Sequence, residues 1–307
     1  MSAGWVAAQV RGRSLVSHCI GPAGAREVAS AGSLDAALAI LATTGYGERL
    51  HPGLDLAMSE RAVFATVLWN LRVLAGWSPA LGASRLHVLA GSFELVNLGG
   101  ELASIEGHDA PVPYNLGSLA SVPRHPQPSS AAELRSVLKR SPWGDPGPLD
   151  SGGLIVALQF SLIRRIIEGV PEASAWAESY GALLLARVIV AGVSLEVGSV
   201  TAAEVRAVLG SRVLVSKSLA DLVTALPIDI ASTLDGVTGT YDLWVGEARW
   251  WGRLWRAAED GVRRGRAEPA TVVAAVAAQA ADAWRVRVAL EIAARAGHGI
   301  EVLDAVA

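Results

Sequence analysis

The chain of 307 residues has a single cysteine, Cys19, so an intramolecular disulfide framework is excluded and a reducing compartment is expected. Lysine is almost missing: Lys139 and Lys217 stand alone, and the remaining basic charge is arginine. We read that bias as the mark of a GC-rich genome rather than of guanidinium chemistry. Charged residues make up only 18% of the chain, with a net charge of -3. No basic stripe is available for a polyanion, and no nucleic-acid partner is expected. Uninterrupted apolar runs are also missing. Arg164 and Arg165 break the stretch 153–167, and Arg187 and Glu196 break 181–200. A membrane span needs about 20 predominantly apolar residues, so no transmembrane helix is expected. Arg11 and Arg13 follow a short mixed stretch without a cleavable apolar core, so no signal peptide is expected.

Chemistry-bearing motifs are scarce too. Neither G-x-x-x-x-G-K-[ST] nor G-x-G-x-x-G after a strand occurs, so no nucleotide or other cofactor is expected. His18, His51, His87, His108, His125 and His298 are scattered without metal-ligand spacing, and no metal is expected. Ser136 and Lys139 match S-x-x-K in letters but flank Leu138, a position of a repeated core phrase. Glu259 and Asp260 are adjacent on a helix and face apart, as solvated charge does. These residues point to a protein without catalysis of its own.

What the chain does have is repetition. Ser33, Ser130 and Ser218 each open a short apolar run with a Leu eight residues on, at Leu41, Leu138 and Leu226. Thr44-Gly45-Tyr46-Gly47 and Ser141-Pro142-Trp143-Gly144 then place a hydroxyl, a spacer, an aromatic and a glycine at matching offsets; the third copy stops at Pro227. The copies start 97 and then 88 residues apart. That is too far for a solenoid repeat of about 20 to 50 residues, and it fits three tandem helical units. Apolar content of 51% and long Ala, Leu, Arg and Glu segments give the class: all-α, with units over 1–110, 111–200 and 201–307.

The helix signals are local. Ser33, Ser130 and Ser218 read as N-caps, with Asp35, Glu133 and Asp221 in the first turns; Glu133 can close a capping box, and Asp221 is a shorter imitation. Ser59 reads as the opening of a helix with the core stripe Val63, Val67, Leu71 and Leu74. One helix is expected from Pro79 through Leu86 and Leu89 towards Ala103. Pro111, Pro113, Pro123, Pro126 and Pro128 forbid continuous helix before Ser130, and 142–153 is a second loop. Helices follow over 154–169 and 172–197, and a third unit begins near Thr201. The last two long helices are expected over 242–264 and 270–296, stopping at Gly297. On the first of these, Trp244, Ala248, Trp251, Trp255 and Val262 share one face. Arg249, Arg253, Arg256 and Arg263 lie opposite. Arg249, Arg253 and Arg256 are the candidate partner-contact residues; the other reading is a solvated face.

A second phrase recurs. Glu94-Leu95-Val96-Asn97-Leu98 stands near the end of the first unit and Asp282-Ala283-Trp284-Arg285-Val286-Arg287 near the end of the third. Both read acid-x-x-polar-aliphatic. Between Glu178 and Glu196 the middle unit carries instead the apolar run 183–190. The phrase resembles the E-x-x-N-L-[KR] phrase of the C subunit (d subunit in eukaryotes) of V-type and A-type ATPases. The opening 5–13, with Trp5, Ala8, Gln9, Val10 and Arg11, resembles that family's Y-x-x-A-R-V-R. The stretch 41–47 resembles its L-x-x-T-x-Y-G.

The resemblance covers the whole chain and implies three similar helical units in a funnel-shaped body. It implies a non-catalytic subunit, cytoplasmic and peripheral to the membrane. Such a subunit couples the central-stalk subunits to the proteolipid ring during proton or sodium transport. The acid and the Asn or Arg of each phrase then either stitch neighbouring helices or line the funnel. A free-standing helical adaptor or regulator is the alternative from another class.

Overall fold

The protein is represented by a computed structural model that describes residues 3–122, 126–147, 151–193, 195–196, 198–296, 298–300 and 303. Pro123, His125 and Gly297 lie outside them. Among the described residues there is no strand, and the all-α class holds. No helix among them is long and apolar enough to cross a membrane.

In chain order the helices are α1 (Ala3–Ser17), α2 (Gly21–Ala29), α3 (Leu34–Leu41), α4 (Leu56–Trp77), α5 (Ala80–Leu89), α6 (Gly91–Ile105) and α7 (Ala131–Leu138). They continue with α8 (Ser151–Gly169), α9 (Ser174–Val190), α10 (Val200–Leu209), α11 (Leu219–Ala225), α12 (Ile228–Ala231), α13 (Leu243–Arg264) and α14 (Pro269–Ala294). Contacts divide the chain into two compact units, one of residues 1–83 and 247–307, the other of 84–246. This differs from the expected division at 110 and 200. The first unit is discontinuous because its centre is the last long helix.

That centre is α14, packed against α1, α2, α3 and α4. Its sequence is apolar all round rather than on one stripe, which is what a helix surrounded by others requires. Nearly every residue from Thr271 to Val286 is buried. The stripe Val63, Val67, Leu71 and Leu74 of α4 is buried as expected. In the second unit α8 packs against α6, α9 and α10, and α9 packs in turn against α11 and α12. Leu98, Leu102, Leu134, Leu138, Trp143, Leu154, Leu158 and Leu162 form a core there.

The three repeated serines all occupy the position their sequence predicts. Ser33, Ser130 and Ser218 have extended backbone, and their hydroxyls accept from the amides of Ala36, Glu133 and Asp221 at 3.3, 3.3 and 3.1 Å. Each satisfies one of the orphan donors of a helix start. The capping box, however, closes at Ser218, where Asp221 accepts from the Ser218 amide. Glu133 reaches one residue further back and accepts from the amide and hydroxyl of Ser129 at 2.7 and 3.0 Å. The longer side chain overshoots the N-cap.

Four boundaries differ from expectation. Asp55, not Ser59, caps α4: its carboxylate accepts from the Met58 amide at 2.7 Å, and Ser59 lies buried in the first turn. The helix expected over 79–103 is two helices, broken at Ala90. The α9 helix stops at Val190 because Gly192, at φ 70, turns the chain. Finally, α14 ends at Ala294, before Gly297. At the other end of the chain Gln9 and Arg13, one turn apart on α1, donate to the carbonyls that end α13. Gln9 Nε2 reaches Gly265 O at 2.8 Å, and Arg13 reaches Val262 O at 3.2 Å and Gly265 O at 3.1 Å. A cation at a helix C-terminus also complements its dipole.

Candidate functional site

Both repeated phrases converge on buried carboxylates. In the second unit Glu94, 4% exposed on α6, accepts from the backbone amides of Ser121 and Val122 on one oxygen, both at 2.7 Å. On the other oxygen it accepts from Trp143 Nε1 at 2.7 Å. In the first unit Asp282, fully buried on α14, accepts from the amides of Ile20 and Gly21 at 3.1 and 2.8 Å. Its aromatic donor is the Tyr46 hydroxyl, at 2.9 Å. Each hub therefore joins three separate pieces of chain through one carboxylate: an acid from one phrase, the aromatic of the other, and two consecutive backbone amides.

The hydroxyl-x-aromatic spacing explains how the aromatics are aimed. Thr44 donates to Leu41 O at 2.7 Å and accepts from the Tyr46 amide at 3.3 Å. Ser141 donates to Leu138 O at 2.8 Å and accepts from the Trp143 amide at 3.2 Å. The same turn thus follows both helices and points its aromatic inward. The closing glycine is required in each copy for a different reason. Gly144 has φ 71, whereas a Cβ on Gly47 would lie 2.1 Å from Ala42 O.

Charge is handled alike. Arg165 lies 4.7 Å over the Trp143 ring and donates to Ser121 Oγ at 3.1 Å, with the Glu94 charge nearby. Arg285, 2% exposed, lies 4.6 Å over Trp255, with the Asp282 charge nearby. Burial pushes both guanidiniums below their ordinary range and Asp282 above its own. Burial, then the Asp282 charge, pushes the Cys19 thiol and the Tyr46 phenol up, so both stay protonated beside the carboxylate. The remaining polar member of the first phrase, Asn97, exchanges two hydrogen bonds with the Tyr114 backbone, at 2.9 and 2.6 Å. Of the two roles open to these residues, they take the stitching one.

The arginine stripe is less uniform than its spacing suggests. Arg256 is exposed, whereas Arg249 and Arg253 are half-buried and all three have interaction partners. On the other face Ala248 and Val262 are buried, Trp251 stacks on Trp284 with ring centroids 5.8 Å apart, and Trp255 carries Arg285. Trp244, expected on the same buried face, is 45% exposed. The stripe begins one turn too early because the helix has only just started there.

A cleft of about 710 Å3 opens in the second unit beside the Glu94 hub, lined by His87, Ser121, Arg164, Arg165 and Glu168 among others. Arg164 is held by Glu168 at 3.0 Å and by Glu204 at 2.6 Å, so its charge is matched within the protein. Ser136 and Lys139 do not meet: Lys139 pairs with Asp145 at 2.8 Å. No group of three or more metal-ligating side chains occurs among the described residues. The arrangement as a whole fixes helices against one another. No protein-family model matches the chain, and no curated protein matches it.

Proposed function

We propose that the protein is the central-stalk socket subunit of a V/A-type rotary ATPase. It is a non-catalytic body of three similar helical units that couples the stalk to the membrane proteolipid ring. One observation carries the reading: the phrases that resemble the family's signature meet each other in two matched carboxylate hubs. Counted by the three sequence repeats of 1–110, 111–200 and 201–307, the acid of one repeat takes the aromatic donor of the next in cyclic order, from the first to the second at Glu94–Trp143 and from the third to the first at Asp282–Tyr46. A body that transmits torque needs stiffness more than chemistry, and buried, fully partnered carboxylates supply directional ties that apolar packing does not.

Co-purification from the native membrane tests the reading. The tagged protein is expected to bring down a proteolipid and a stalk subunit. Arg256→Glu, at the exposed member of the arginine stripe, is expected to weaken that recovery with an unchanged circular dichroism spectrum. Recovery of neither partner with the wild-type protein overturns the coupler assignment and leaves a free-standing helical adaptor.

A further inference from the structure

Helix α4 carries two apolar faces, and its neighbours cover one of them. Val63, Val67, Leu71 and Leu74 are buried, whereas Met58, Trp69 and Trp77 are 55%, 46% and 58% exposed, with Ala62 and Val73 half-buried between them at helical spacing. The α1 helix packs beside α4, and both pack on α14. The Trp5 ring lies against Gly82, so the start of α1 sits beside the end of α4. Ala8, Gly12 and Leu15 are the residues that α1 turns inward, with Gly12 close to Ala275 of α14. Val6 and Val10 fall on the opposite side of that helix and are 44% and 61% exposed. Met58 and Trp69 likewise fall opposite the buried stripe of α4. The two helices therefore turn one apolar surface away from α14, and Trp77 and the half-exposed Leu81 extend it at the α5 end.

An exposed apolar surface spread over two helices marks a contact site, and the charge around it selects the partner. The α1 helix has no acidic residue, and α4 has one, Glu60, which pairs with Arg287 of α14 at 3.5 Å. The other charges of the two helices are Arg11, Arg13, Arg61 and Arg72, and the Arg72 guanidinium lies 5.6 Å over the Trp69 ring. The chain as a whole is net negative, so a surface charged by arginine alone is a local departure. A second copy across a two-fold axis would set these arginines against themselves. An anionic lipid surface meets both features at once. Tryptophan and valine enter the boundary between headgroups and acyl chains, while arginine stays at the level of the phosphates with its stem along the apolar surface. We propose that the α1–α4 face of the first unit lies on an anionic membrane surface. It binds in the plane of the lipid, without spanning it and without a partner protein. This goes beyond the socket role, which brings the protein to the membrane only through its partners.

Co-sedimentation of the purified chain with vesicles, with no rotor subunit present, tests this apart from the socket reading. Recovery with an equal mixture of phosphatidylcholine and phosphatidylglycerol is expected to exceed recovery with phosphatidylcholine alone at least about tenfold, and to fall as salt is raised. Trp69→Gln combined with Trp77→Gln is expected to lower it at least about tenfold with an unchanged circular dichroism spectrum. Trp244→Gln, at a similarly exposed tryptophan of the second unit, is expected to leave it unchanged. Arg11→Glu, at an exposed side chain, is expected to lower it at least about threefold, and it decides the matter if the tryptophan pair disturbs the fold. Absence of binding to either vesicle overturns the proposal, as does an equal loss with Trp244→Gln. Dimers in sedimentation velocity that vanish with the tryptophan pair, without vesicle binding, overturn it in favour of a contact between copies.

Discussion

The Asp282 hub of the first unit and the Glu94 hub of the second use the same parts, an acid, an aromatic donor and two consecutive amides, yet they differ in depth. Asp282 is fully buried, its cation Arg285 is 2% exposed, and the arginine rests on Trp255 rather than on the hub's own aromatic. Glu94 is 4% exposed, and Arg165 rests on the hub's own Trp143 at the edge of a cleft. The pattern of donors is therefore a property of the repeated phrases, whereas the energetics belong to the surroundings. A carboxylate that water cannot reach is held in a low-dielectric setting where every missing partner costs more.

The comparison is broken most forcefully at the acids. Asp282→Ala leaves two amides and a tyrosine hydroxyl without their acceptor and removes the opposite charge near the buried Arg285. We expect a loss of about 3–5 kcal/mol in urea unfolding, larger than for Glu94→Ala, whose Arg165 lines a cleft and donates to Ser121. Equal losses would mean that depth does not matter. One step milder, Tyr46→Phe deletes only a donor to a charged acceptor, for about 1.5–3 kcal/mol, whereas Trp143→Phe deletes its donor and also leaves a cavity in the core around it.

The Asp282 hub also carries a pH dependence. Asp282 holds its proton more tightly folded than unfolded, so the native state binds more protons than the unfolded one above about pH 4. Stability from this group is fully present below the ordinary Asp pKa and declines as pH rises towards its raised value. Asp282→Asn is expected to flatten that decline in unfolding midpoints measured across the acidic range.

The smallest effects are at the caps. Ser33→Ala and Ser130→Ala are expected to cost about 1 kcal/mol each. Ser218→Ala, which also opens the capping box with Asp221, is expected to cost at least as much.

Much of the fold was legible because its signals are local. A serine before an apolar run satisfies helix amides whatever surrounds it, and all three were found in place. Val63, Val67, Leu71 and Leu74 were legible because a stripe at helical spacing has one way to be buried. The capping box was misplaced because one methylene decides whether a carboxylate reaches the N-cap amide or the residue before it, and the letters show both as acids. The hubs were half visible: two phrases recurred at fixed offsets, but nothing in either one names the other as its partner. That pairing spans 49 residues at Glu94–Trp143 and 236 at Asp282–Tyr46. The usable signal was the joint failure of both phrases at the same turn of the cycle, in the apolar run 183–190 and after Pro227. The two-unit division was not legible, because local patterns do not report that the last long helix sits among the first four.

That placement has a consequence for the order in which the molecule is made. Residues 84–246 emerge from the ribosome as one continuous stretch with their own core, so this unit can complete itself during synthesis. The helices α1 to α4 are made earlier but finish later. Their inward faces, Val63 and Leu71 among them, have no α14 to cover them until some two hundred residues more have been polymerised. Helices made before residues 84–246 are therefore buried after them, and their inward surface stays open to chaperones while that unit is made.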